Sequence, residues 1–229
     1  MIISYKIHEV SPYINWIYFF HAWGFQPRFA AIANIHGCDV CRASWLTTFP
    51  EEERPKASEA MQLFKEANRM LDLLDKDFEV KTLFKLCEAN SDGDNLILDG
   101  MTFPLLRQQV KKREDTPFLC LSDFIRPVSS GITDIAGAFA STIDADMEGV
   151  YEKDPYKHIL VQTLSDRLAE AGTEKMHEYV RKEAWGYAKD EHLTIPDLLV
   201  EKYQGIRPAV GYPSLPDQSV NFLLDELLD

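Results

Sequence analysis

With only four cysteines in 229 residues, the chain gives no reason to infer a disulfide framework, because a chain of this length can stabilise itself by burial. Positive charge is scarce as well. Against 37 Asp and Glu stand 24 Lys and Arg, a formal charge of −13, which repels a phosphate backbone and argues against nucleic acid as a partner. Long apolar runs are absent. The longest, Trp16 to Phe25, is about half of the roughly 20 residues a bilayer-spanning helix needs, and His21 interrupts it. The opening Met1-Ile-Ile-Ser-Tyr-Lys-Ile-His-Glu lacks the basic stretch, continuous apolar core and small-residue cleavage site of a secretory signal, so the protein reads as cytoplasmic, with reduced thiols and no membrane partner. Internal repeats and low-complexity tracts are also missing. What remains is 45% hydrophobic residues, enough for one sizeable core or two small ones.

The acidic excess is concentrated towards the end of the chain, where residues 144–229 hold 18 acidic and 9 basic side chains. Helical signals begin earlier. Ser11-Pro12 places a capping serine before a proline at the first helical position, predicting a helix to about Trp23. The seven aromatics between Tyr13 and Phe25 exceed what one stripe can hide, so that helix is expected to be buried on several sides. A second helix is predicted from Pro55 to Asp75, with Ala60, Phe64, Ala67, Leu71 and Leu74 on its inner face.

In the middle the period changes. Val80 to Ala89, the turn-forming Asn90-Ser91-Asp92-Gly93-Asp94 and Asn95 to Asp99 read as a β-hairpin. Further strands are expected at Phe103 to Val110, Phe118 to Ile125 and Ile132 to Ile143. Consecutive strands with short polar turns favour an antiparallel or mixed sheet, since parallel crossovers need a helix. A long helix follows from Pro155 to Trp185, straight or bent near Gly172, then a short one from Thr194 to Tyr203 and a last one ending at Leu228. The resulting class is α+β, a twisted antiparallel or mixed sheet flanked by helices. Its helical part spans about 1–78, and its sheet and long-helix part about 79–229.

Between the last two helices lies Gly205-Ile-Arg-Pro-Ala-Val-Gly-Tyr-Pro-Ser-Leu-Pro-Asp217, whose three prolines and two glycines forbid both helix and central strand. A shaped loop is required there. It carries Arg207, whose forked guanidinium suits a carboxylate, and Gly211 beside Tyr212, which allow close approach to a ligand and offer a ring face. The residues alone leave a second reading open, an arginine capping the preceding helix beside a core tyrosine.

Arg207-Pro-Ala-Val-Gly211-Tyr212 resembles the Arg-x-x-x-Gly-Tyr motif with which the reactivation domain of cobalamin-dependent methionine synthase holds S-adenosylmethionine. Other blocks are similar, in order along the chain: Leu63-Phe-Lys-Glu-Ala-Asn-Arg-Met-Leu-Asp, Phe118-Leu-Cys-Leu-Ser-Asp-Phe, Gly137-Ala-Phe-Ala, Asp166-Arg-Leu-Ala-Glu170-Ala, His177-Glu-Tyr-Val-Arg-Lys, Trp185-Gly-Tyr-Ala and Tyr203-Gln-Gly-Ile-Arg-Pro. The resemblance implies a C-shaped α+β domain. It also implies a repair function, in which an electron from a flavodoxin-like donor and a methyl from S-adenosylmethionine return cob(II)alamin to methylcobalamin. By the same resemblance Arg207 pairs with the methionyl carboxylate, and Ala209, Gly211 and Tyr212 contact the nucleoside largely through backbone. Glu170 faces the ammonium or sulfonium side, and Asp166 faces the docked cobalamin module. An ordinary solvated helix carboxylate is the other reading of Glu170.

Two departures from the family pattern stand out. Tyr13-Ile14-Asn15-Trp16 has Asn15 where the family has a ligand-contacting aspartate, which keeps an acceptor oxygen and removes a charge. The family also continues, past the point matching Asp229, into strands that include a ligand-contacting tyrosine, so part of the pocket wall is expected to lie outside this sequence. Neither an Asp-x-His-x-x-Gly cobalamin signature nor a Gly-Cys-Cys zinc site is present. The implied action is therefore in trans, on a separate cobalamin-bearing methionine synthase chain. The competing reading is a non-catalytic subunit that docks on a corrinoid protein without binding S-adenosylmethionine.

Two further signals stand apart from this. His36, Cys38 and Cys41 form His-x-Cys-x-x-Cys, a metal or dithiol pattern, but a structural zinc site usually takes four ligands and no second pair accompanies it. Lys111-Lys112-Arg113 is a short basic run, a solvated turn or a docking point for an acidic flavodoxin.

Overall fold

The computed structural model describes residues 1–110 and 113–229, so Lys111 and Lys112 of the basic run lie outside the described residues. Two compact units are formed, one from Met1–Ile2, Leu83–Ala140 and Gln204–Asp229, the other from Ile3–Thr82 and Ser141–Tyr203. The chain is α+β as expected, and the described residues form five strands, β1 (Ile2–Lys6), β2 (Glu79–Asp92), β3 (Asn95–Leu98), β4 (Met101–Pro104) and β5 (Asp134–Ile143), in the order β1-β2-β3-β4 with β5 paired with β2.

The larger unit begins along β1 (Ile2–Lys6) and α1 (Ile7–Val10), which buries Ile7 and Val10. The helix expected from Ser11 to Trp23 is not continuous. Ser11–Tyr13 form a 3-10 turn, Ile14 is extended, and Asn15 caps a new helix, α2 (Trp16–Ala22), its side-chain oxygen accepting the Ile17 N–H at 3.2 Å. A short polar side chain that satisfies the first free amide makes a fresh start cheaper than continuation. Phe19 and Phe20 are fully buried, whereas Ile17, Tyr18 and His21 are exposed, so α2 is buried on one side only. Its rings continue as edge-to-face pairs through Phe20–Phe25 and Phe25–Phe29. A 3-10 segment (Pro27–Asn34) and α3 (Asp39–Thr47) follow, neither expected from the sequence. α4 (Arg54–Leu74) buries Ala57, Ala60, Leu63, Ala67, Met70, Leu71 and Leu74, and Phe64 meets Trp16 edge-on at 4.7 Å.

α5 (Pro155–Tyr179) starts at Asp154, whose carboxylate accepts the Lys157 N–H at 3.2 Å, and runs into a π-turn at Val180–Ala184. The irregularity falls at that turn. Gly172 instead lets the helix close on neighbouring strands, since a Cβ there would lie 2.6 Å from Val80 Cγ1 and 3.1 Å from Ser141 Oγ. The short helix expected at Thr194–Tyr203 is α6 (Ile195–Leu199), capped reciprocally by Thr194 and Asp197.

In the smaller unit β2 (Glu79–Asp92), which both units share, pairs antiparallel with β3 (Asn95–Leu98) through a two-residue loop with Gly93 at positive φ. β3 then pairs antiparallel with β4 (Met101–Pro104) across Asp99-Gly100, both at positive φ. The strand expected over 103–110 therefore ends at Pro104. Proline offers no N–H to a ladder, and β3 begins only at Asn95, the partner of Pro104. The strand expected over 118–125 is absent too. Leu121–Phe124 form a 3-10 turn in which Asp123 accepts the Cys120 N–H at 2.8 Å, and the Arg107 fork grips the same carboxylate at 2.7 Å through two nitrogens. That grip holds the Asp123 carboxyl down at about 2. β5 (Asp134–Ile143) pairs with β2, and α7 (Val220–Leu228) buries Val220 and Leu227 against Cys87, Ala89, Leu98, Phe103 and Ala138.

Candidate functional site

The segment 205–217 is, as its prolines and glycines require, a loop of turns. Gly205 and Gly211 stand at φ +98° and +89°, in the left-handed region that suits glycine. Gly211 donates its N–H to Leu215 O at 2.8 Å, Leu215 returns one to Tyr212 O at 2.9 Å, and Tyr212 donates to Ala209 O at 3.3 Å. A Cβ on Gly211 would meet the Gln218 side chain at 3.4 Å, so what disfavours a side chain there is the rare backbone angle. Val210 and Leu215 pack against the core shared by the strands and α7. Asp217 closes the loop, accepting from Ser219 N at 2.9 Å and Ser219 Oγ at 2.7 Å, and that hydroxyl holds its carboxyl below the usual range. Inward apolar anchors and backbone bonds thus set the loop's shape. The Tyr212 ring is left on the outside.

Arg207, Ala209, Gly211 and Tyr212 all sit on this loop. Tyr212 is 60% exposed and Ala209 and Gly211 are exposed, while Arg207 is half-buried with Nη1 shielded from solvent. Tyr212 is therefore no core residue. Asn15 and Glu170 belong to the other unit, on two elements that pack together, α2 and α5. Asn15 is occupied as the α2 cap. Glu170 is half-exposed and bound by Arg167 at 2.9 Å, and that guanidinium lies 5.8 Å above the Tyr18 ring of α2. Asp166, one turn before, is exposed.

Within the larger unit a buried polar cluster was not visible in the sequence. Arg181, on the π-turn, is fully buried and bonds Glu191 through Nε at 2.9 Å and Nη2 at 2.6 Å, while Nη1 lies 2.8 Å from His177 Nδ1. Because guanidinium only donates, His177 Nδ1 must accept there. The same guanidinium stands 4.4 Å from the Tyr203 ring centroid, and His177 meets that ring edge-on at 4.8 Å. Nearby Tyr13 donates to Glu178 at 2.5 Å, and burial with that carboxylate pushes the phenol pKa up. No periodicity links residues 10 or 165 positions apart. The only available signal was the presence of charged residues in a stretch that must also be core.

None of these groups forms a nucleophile–base pair. The loop instead presents binding chemistry: one guanidinium, exposed backbone around a glycine, and one aromatic face. Among the described residues no helix is long and apolar enough to cross a membrane.

Comparison with known proteins gives one answer at two levels. Residues 6–229 match the family model described as "Vitamin B12 dependent methionine synthase, activation domain". Among solved structures, the chain is similar to the MetH reactivation domain bound to AdoHcy, with 34% identity and a TM-score of 0.83, covering 100% of this chain and 69% of that one.

Proposed function

The chain belongs to the activation-domain family of vitamin B12-dependent methionine synthases, and we propose that it binds S-adenosylmethionine and supports the reductive remethylation of cob(II)alamin on a separate, cobalamin-bearing methionine synthase chain. The observation that carries this reading is the turn-built loop at 205–217, with Arg207 held half-buried and Tyr212 turned outward, in a chain similar to a domain that holds AdoHcy. Arg207 pairs with the amino-acid carboxylate in the planar, two-bond manner that guanidinium favours. The backbone of Ala209 and Gly211 and the face of Tyr212 take the nucleoside. Glu170 and Asn15 are the further contacts the family pattern implies, at the cationic side of the ligand. An acidic chain of formal charge −13 also attracts a sulfonium cation.

The chemistry makes few demands on this chain's side chains. A sulfonium methyl is already activated, and reduced cobalt on the partner is itself the nucleophile, so this chain needs no general base. What its residues contribute is orientation of the donor. The electron donor is a flavodoxin-like protein and the setting is cytoplasmic.

Calorimetric titration of the folded chain with S-adenosylmethionine tests the reading. Saturable binding is expected, weakened on the order of 10- to 100-fold in Arg207→Ala, as loss of a charge-assisted pair worth about 1.5–3 kcal/mol requires. A folded sample that evolves no heat would support the other reading, a docking subunit without a ligand.

A further inference from the structure

Far from the loop in sequence, His36, Cys38 and Cys41 bring one nitrogen and two sulfurs within 4.8 Å of one another at the start of α3. We propose that these three residues form a binding site for a thiophilic divalent cation of the zinc class, with the fourth coordination position open to water or an incoming ligand.

The local fold explains why the donors converge. Cys38 is the N-cap of α3, and its Sγ accepts the Cys41 N–H at 3.3 Å, which turns both sulfurs to the same side of the first helical turn. Gly37 separates Cys38 from His36, and a Cβ at that position would contact only Arg42 Nη2, at 3.6 Å. The amide bond to Cys38 Sγ is an outer-shell contact of the kind that orients a metal-bound thiolate.

Three donors of this softness suit zinc better than magnesium or calcium, which take oxygen. Asp39 is not the fourth ligand. Its carboxylate is fully exposed and lies 3.7 Å from Arg42 on the solvent side. His36 is exposed and both cysteines are half-buried, which leaves an entry path and matches three-ligand sites with an open position better than closed four-ligand ones. A dithiol couple would need only the two sulfurs, and the third donor at the same point is what favours an ion. On binding, the thiol protons leave to solvent as the metal–sulfur bonds form, so affinity rises with pH. The site is independent of the ligand loop and of the function proposed for it.

The test uses the full chain, reduced and metal-free, titrated anaerobically with cobalt(II) as a spectroscopic probe. One equivalent is expected to give the intense visible bands of a four-coordinate ion and a near-ultraviolet thiolate charge-transfer band, both abolished by adding zinc. Cys38→Ser and Cys41→Ser should each remove the charge-transfer band or halve it. His36→Ala should weaken binding by at least the roughly 10- to 100-fold that even outer-shell changes cost. Circular dichroism of each variant, with Cys87→Ser as control, keeps folding and binding apart. Overturning results are a weak six-coordinate spectrum in the wild type, or bands that survive in the Cys38→Ser/Cys41→Ser double variant. A chain that closes a Cys38–Cys41 disulfide in air but shows no charge-transfer band when reduced would replace the metal site with a dithiol couple.

Discussion

Two arginines on successive stretches of the chain live in opposite surroundings. Arg181 is fully buried on the π-turn after α5, its fork spent on Glu191 and His177 and its face on Tyr203. Arg207 is half-buried on a loop shaped by backbone turns, beside exposed Ala209, Gly211 and Tyr212. The first region is rigid because its charges satisfy one another. The second takes its shape from proline, glycine and carbonyl acceptors that fix the backbone. Burial and the source of the local shape, more than residue type, separate the two arginines.

Substitutions can break or sharpen that contrast. Arg181→Ala should have the largest effect, about 3–5 kcal/mol of stability lost in urea or thermal unfolding, because Glu191 is left as an uncompensated buried charge. A midpoint close to that of the wild type would remove the distinction. Arg207→Ala is read in the ligand titration, as a loss of S-adenosylmethionine affinity worth about 1.5–3 kcal/mol. Gly211→Ala comes next, at about 1–2 kcal/mol, since an alanine at φ +89° is strained. Its cost should appear in affinity as well as stability if the loop's shape is what binds. Smallest is Glu170→Gln, which removes an exposed ion pair with Arg167 and should alter stability by less than about 1 kcal/mol. A severalfold loss of affinity there would make Glu170 a ligand contact, and no change would leave it a solvated helix carboxylate.

How legible these regions were in the sequence follows from how local their causes are. α4, the β2–β3 hairpin and the 205–217 loop were read because spacing, a turn cluster and proline content act within a few residues. The break at Ile14 was hidden because Ser11-Pro12 is a valid start signal, and only the structure reveals that Asn15 caps a second one. Asp99-Gly100 is itself a hairpin turn, so the next strand starts at Met101 and not at the expected Phe103. Phe118–Ile125 has strand-like composition, but Asp123 and Arg107 override it with a turn held by side chains. The 3-10 segments at Pro27–Asn34 and Ala145–Tyr151 have no period long enough to detect. Of the site, the loop residues were legible as a motif. The Arg181–Glu191 contact was not, since tertiary packing alone makes it.

The most direct test of the central claim is hydrogen–deuterium exchange of the intact chain with and without S-adenosylmethionine. The account predicts slower exchange concentrated at the amides of 205–217, lost again in Arg207→Ala. Protection that spares this loop while the ligand is demonstrably bound would contradict it.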